Sequence, residues 1–305
     1  MTDTINDRLG RSVPDSFPSA LREHGLLINT APGLYGWGID LETIQEGLRR
    51  RLTAVAGDLR PTVMRFPPLL PRTTFEQSEY VSSFPHLFGA VHAFRGDEDA
   101  HAGLERAIAG GEDWSGHTRL TDFVLAPASC HAVYPLHSPT VPDDGVAVDV
   151  DGWCFRHEPS TEPGRLVAFQ MREFVRIGTA TDAVNWSADW RERSLATVRS
   201  LGLPAEIEAA SDPFFGTAGA FLADDQRNQS LKLEILAPVG ERRVAVASVN
   251  YHQDHFGRIF GIQSADGVPA HSACAAFGLE RLTFALVAAH GPDLDRWPDQ
   301  VRDLL

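Results

Sequence analysis

Lysine and arginine are scarce in this chain. Only 27 basic residues stand against 41 acidic ones over 305 residues, giving a net charge of −14. A protein that wraps nucleic acid neutralises phosphates with a basic surface, so a broad tRNA-binding face is not expected. Arg49, Arg50 and Arg51 form the only basic run, and one helical turn of arginine is more often a solvated face. Cysteine is also sparse, at three residues. A low, odd count argues against a disulfide framework and for free thiols or a metal. Long apolar runs are missing as well. The most hydrophobic stretch near the end is interrupted by Glu280 and Arg281, which excludes a membrane span. The opening MTDTINDRLGRS has no apolar core and reads as a polar tail (residues 1–15) rather than a signal peptide, so a cytoplasmic location is expected.

What is present suffices for a large core, since 43% of the residues are hydrophobic. Residues 16–305 are expected to form one main domain, with a possible small helical extension in 16–60. Asp40 could cap a helix running to about Val55, with Leu41, Ile44, Leu48 and Leu52 on its buried face. The segment from Arg60 to Pro71 is broken by prolines and should thread along the domain edge. Asp97 to Gly111 reads as a helix, and Thr121 to His131 as a strand ending in Cys130. Ser187 could cap a helix that buries Trp190, Leu195, Val198 and Leu201. The segments SLKLEILAP and RRVAVASVNYH alternate like strands of an antiparallel sheet, and Phe277 to Ala289 reads as a closing helix.

The stretch Cys154 to Phe174 is the most informative. Its sequence suits a β-hairpin whose reversal, Glu158 to Arg165, carries Pro159, Pro163 and Gly164. Strand side chains alternate faces, so Arg156 and Glu158 share one face, as do Phe169 and Glu173. One wall would then offer a cation, an acceptor for an amino group, a stacking surface and a ligand. Taken singly, an Arg-x-Glu pair is usually a solvated ion pair worth little.

FRHE, followed by Arg165, Phe169 and Glu173 at four-residue steps, resembles motif 2 of class II aminoacyl-tRNA synthetases. AFGLERL, Ala276 to Leu282, resembles motif 3 of the same enzymes, although Cys274 and Ala276 stand where the first glycines would lie. The resemblance implies an α+β fold, a central antiparallel sheet flanked by helices. It also implies ATP with Mg²⁺. Arg156 would grip the α-phosphate and Glu158 the adenine amino group. Arg165 would reach the outer phosphates, Phe169 would stack on adenine, Leu166 would belong to the same nucleotide site, and Arg281 would hold the γ-phosphate. Lys232, Ser248 and Asn250 would touch ATP or the amino acid; for these, a plain strand-surface role is an equal reading.

Cys130, Glu173 and Cys274 are too far apart in sequence for a local zinc motif. A class II fold would bring their segments together, and two thiolates with a carboxylate are acceptable zinc ligands that leave one open position. Without the family, buried hydrophobic cysteines would be the default. The arrangement resembles the zinc-dependent seryl-tRNA synthetases of methanogens and their truncated bacterial relatives, the amino acid:carrier-protein ligases. That resemblance implies a ligase that activates glycine or alanine as an adenylate. The aminoacyl group would then pass to the phosphopantetheine thiol of a carrier protein, in a homodimer that uses no tRNA. The alternatives are a free-standing aminoacyl-tRNA synthetase for serine, alanine or glycine, or a non-catalytic class II paralogue.

Overall fold

Alternating apolar residues in the second half of the chain build the dominant sheet. The computed structural model describes residues 21–158, 160, 162 and 164–305, with Asn29 by its backbone alone. Among these, the strands are β1 Leu27–Ala31, β2 Leu34–Trp37, β3 Thr62–Arg65, β4 Leu69–Pro71, β5 Ala90–Phe94, β6 Thr118–Leu125, β7 Val146–Phe155, β8 Ala168–Gly178, β9 Glu206–Ala209, β10 Lys232–Val239, β11 Arg242–Gln253 and β12 His271–Gly278. The longer helices are α1 Ile39–Val55, α2 Glu98–Gly110, α3 Ala180–Ser200, α4 Gly216–Asn228 and α5 Leu279–His290.

Seven strands lie in the order β3-β7-β8-β12-β11-β10-β9. All neighbours are antiparallel except β3, which runs parallel to β7 at one edge, so the sheet is mixed. β4, β6 and β5 form a small second sheet, and β1–β2 a separate hairpin. That hairpin precedes α1 in the segment where a helical extension was expected. The proline-broken segment before Pro71 supplies both the edge strand β3 and β4.

One face of the large sheet is covered by α3 and α5. Phe174, Ala275 and Phe277 point there, and Phe174 stacks on the fully buried Trp190 with ring centroids 4.4 Å apart. Completely burying an apolar side chain of this size is worth about 2–3 kcal/mol. Leu41, Ile44, Leu48 and Leu52 of α1 join the same core. A second anchor for α1 is polar. Arg172 is 2% exposed and meets Asp149 through Nε–Oδ1 at 3.0 Å and Nη2–Oδ2 at 2.6 Å, while also donating to Thr53 Oγ1 and Arg49 O.

Several boundaries differ from the expectations. α3 begins at a capping box, in which Thr179 Oγ1 accepts from Asp182 N and Asp182 Oδ2 accepts from Thr179 N, both at 3.2 Å. Ser187 therefore lies inside the helix, because reciprocal capping defines the stronger start. At α1 the cap position is Gly38, and Asp40 sits in the first turn. The strand expected to end at Cys130 stops at Leu125, shortly before Pro127, which cannot donate to a ladder. Cys130 belongs instead to a 3₁₀ turn, Ser129–Ala132. Phe277 is the penultimate residue of β12 rather than the start of the last helix. Among the described residues no helix is long and apolar enough to cross a membrane.

Candidate active site

The open face of the sheet is organised by strand register. Glu173 pairs across to Ala276, Ala276 to Ser248, and Ser248 to Glu234. One step along, Cys274 pairs with Asn250 and Asn250 with Lys232. Directly paired residues share a face, so these two rows project the same way. They line a cavity of about 520 Å³. The small sheet's side of the molecule contributes Cys130, and α5 contributes Arg281.

Arg156, Leu166, Phe169, Glu173, Lys232 and Ser248 all line this cavity, as do Asn250, Cys130, Cys274 and Arg281. Glu158 and Arg165 do not. Arg165 Nη1 lies 2.5 Å from Glu158 Oε2, its Nε lies 3.2 Å from Glu162 Oε2, and Arg242 holds the other Glu162 oxygen at 3.0 Å. The two residues read as an adenine contact and an outer-phosphate contact are thus engaged with each other on the rim.

Two guanidinium groups face the interior. Arg156 donates from Nε to Pro127 O at 3.2 Å and lies over the Phe169 ring, 5.4 Å from its centroid. Arg281 donates from Nε to Gly164 O at 2.6 Å and from Nη1 to Ala245 O at 3.0 Å. Burial, with the neighbouring Arg156 charge behind it, lowers Arg281 to about 10. A cation kept in a confined space beside another cation is poised to be neutralised by an anion. Lys232 is already engaged, with Nζ 2.6 Å from Asp212 Oδ1 and 3.4 Å from Glu234 Oε1.

Cys130, Glu173 and Cys274 converge at the other end. All three are buried, at 4%, 2% and 3% exposure. Glu173 Oε1 accepts from the Cys130 amide at 3.0 Å. Asn250 Nδ2 reaches Cys274 Sγ at 3.4 Å, and His252 Nε2 lies 3.7 Å from the same sulfur. Interaction between the two thiols pushes Cys274 well below the ordinary thiol range and its partner Cys130 up. Burial, followed by the Cys274 charge, raises Glu173 to about 7. The donors are adjacent, yet among the described residues no group of three or more His, Cys, Asp or Glu is placed so as to hold a metal ion.

His131, beside Cys130, is kept neutral by burial, which lowers it to about 3. Its Nδ1 and the Tyr134 hydroxyl are buried without a hydrogen-bond partner among the described residues. Cys154 lies against Ser129 Oγ at 3.5 Å, outside the cavity. His252 and Asp212 were not singled out from the sequence. Parity with Ser248 and Asn250 on β11 was the available signal for His252; Asp212 lies in a loop that offers none.

No family model matches the chain. It is 43% identical over 270 residues to amino acid–acyl-carrier-protein ligase 1 of Bradyrhizobium diazoefficiens, spanning 86% of this chain and 82% of the relative. Ligase 2 of the same organism is 43% identical over 283 residues, spanning 90% and 83%. A type-2 serine–tRNA ligase of Methanopyrus kandleri is 26% identical over 284 residues, but only 53% of it is spanned. In three dimensions the chain is similar to the M. kandleri seryl-tRNA synthetase solved with a tRNA from A. aeolicus, with a TM-score of 0.80 and 21% identity. That match covers 96% of this chain and 60% of the synthetase. The seryl-tRNA synthetase of Pyrococcus horikoshii complexed with ATP gives a TM-score of 0.62 at 15% identity, covering 90% and 56%. These likenesses establish a class II synthetase fold.

Proposed function

The chain belongs to the amino acid–acyl-carrier-protein ligase family, and from that premise we propose that it activates glycine or alanine with ATP and passes the aminoacyl group to a carrier-protein thiol. The observation that carries this reading is the cavity itself. It sets two half-buried guanidiniums, Arg156 and Arg281, beside an aromatic ring and a cluster of thiols and carboxylate.

In the first step an amino acid carboxylate oxygen attacks the α-phosphorus of ATP. The bond to the β-phosphate breaks, and pyrophosphate leaves with the electron pair. Arg156 and Arg281 neutralise charge on the phosphates, and Phe169 offers a face for the purine. No protein nucleophile is needed, because positioning and electrostatics supply the catalysis. Magnesium enters as the counter-ion of ATP. In the second step the phosphopantetheine sulfur attacks the adenylate carbonyl and AMP departs.

The donor chemistry of Cys130, Glu173 and Cys274 fits zinc, since soft thiolates with one carboxylate suit that ion. Zinc held there would bind the neutral α-amine of the substrate and so distinguish amino acids from hydroxy acids. Glu173 would exchange its bond to the Cys130 amide for that role. Asn250 and His252 steady the Cys274 sulfur from two sides.

A carrier protein fits better than tRNA as acceptor because the chain carries a net charge of −14. The enzyme acts in the cytoplasm as a homodimer. The outer edge of β3, where Val63 is 62% exposed, supports the second copy. Pyrophosphate exchange across candidate amino acids, followed by transfer of labelled amino acid to carrier protein and to tRNA, tests the reading. Exchange with glycine or alanine and labelling of the carrier are expected; labelling of tRNA alone would overturn the assignment.

A further inference from the structure

The β1–β2 hairpin is attached to the β7–β8 strand pair at two points. At its base Trp37 stacks on Trp153 of β7, with centroids 5.8 Å apart. At its tip Gly33 O accepts from Val167 N at 2.7 Å. The tip sequence Ala31-Pro32-Gly33-Leu34 is a tight turn with a proline followed by a glycine at φ +72°, a conformation that side chains other than glycine rarely adopt. Space is short as well. A Cβ on Gly33 would lie 3.2 Å from Val167 Cγ2, 3.3 Å from Arg165 O and 3.4 Å from Ser160 N.

Val167 holds a particular place in the site. It lies just before β8 begins at Ala168, beyond the regular ladder. Its carbonyl accepts from Arg156 N at 3.0 Å, so one residue links the hairpin tip outside to the main chain of Arg156. Its neighbour Leu166 is 6% exposed and lines the cavity, and Phe169 follows two residues on. The tip therefore occupies the Val167 amide while the Val167 carbonyl bonds to Arg156.

We propose that the β1–β2 hairpin braces the ATP-binding strand pair and that Gly33 is a positioning residue for the nucleotide, an inference that rests on reading Arg156, Leu166 and Phe169 as the ATP site. Gly33 touches no substrate. It acts through Val167 by fixing the main chain on which Arg156 and the purine contacts are mounted.

Gly33→Val and Gly33→Asn separate the two demands at this position, since asparagine tolerates positive φ better than valine but still carries a Cβ. In pyrophosphate exchange, Gly33→Val is expected to raise the KM for ATP about tenfold and Gly33→Asn less, with the amino acid KM within about twofold of wild type. Trp37→Ala loosens the brace at its base without crowding the tip, and should raise the same KM. Hydrogen exchange at the Val167 amide should quicken in all three variants. An unchanged KM for ATP in Gly33→Val overturns the inference. So does a parallel rise in both KM values with a lower melting point, which would mean general damage. A wild-type chain that exchanges no pyrophosphate with any amino acid overturns the nucleotide reading, and the inference falls with it. Normal wild-type exchange with an indifferent Gly33→Val removes the inference alone.

Discussion

The backbone amide of Cys130 donates to Glu173 Oε1 across 3.0 Å, joining a turn beside the small sheet to the middle of the large one. The bond closes that end of the cavity and sets a carboxylate beside the two thiols. Removing metal should therefore be costly. A chelator strong enough to strip zinc is expected to abolish pyrophosphate exchange, and zinc, but not magnesium alone, to restore it. Metal content measured alongside activity checks this, and full activity in demonstrably metal-free protein would eliminate the zinc role.

Arg156 faces the cavity with an aromatic ring beneath it. Replacing it by alanine removes charge aimed at the reacting phosphorus and should lower kcat for exchange by about 100- to 1,000-fold. Circular dichroism and the melting point should stay near wild type. A variant that loses only ATP affinity would instead assign Arg156 to ground-state binding.

The Arg172–Asp149 pair is buried at one end of α1, away from the cavity. Asp149→Ala leaves an uncompensated guanidinium inside the protein, which costs about 3–5 kcal/mol. Urea unfolding measures the loss. The KM for ATP in folded variant should be unaltered, and a change there would show that the pair reaches the site.

Glu280 is 1% exposed and accepts from Gln170 N through both carboxylate oxygens at 2.9 Å. Burial raises its carboxyl from an ordinary 4.5 to about 8, so the folded chain holds a proton that the unfolded chain releases between those values. The stability carried by that proton is complete below pH 4.5 and is lost as pH climbs through about 8. Melting curves across this window should show wild type losing stability relative to Glu280→Gln, which cannot ionise. Parallel curves would refute the assignment.

Much of the site was legible because strand parity is a strict rule. Phe169 and Glu173 were placed on one face from spacing alone, and they line the same cavity. Cys130 was read as the end of a strand, but Pro127 stops the ladder first and a turn carries the thiol inward. Ser187 looked like a cap until the reciprocal Thr179–Asp182 box set the start of α3 further upstream. The pairing of Arg165 with Glu158 and Glu162 was not legible, since ion pairs across a reversal depend on rotamers rather than pattern. α4 was missed for a related reason. Its exposed Phe221 and Leu222 give little amphipathic signal, because only Gly219 among its residues is fully buried. The docking of the Pro32-Gly33 turn on Val167 is a tertiary fact.

Arg281 is steered by two main-chain oxygens, those of Gly164 and Ala245. Acceptors of that kind survive any exchange of the side chains that flank them. At position 164 the freedom is forfeited, because a methyl there would meet Val244 Cγ1 at 3.1 Å with φ at +76°. Position 245 keeps it. An engineer wishing to remodel that end of the cavity could thus vary that alanine while the cation stays aimed by the skeleton of the chain.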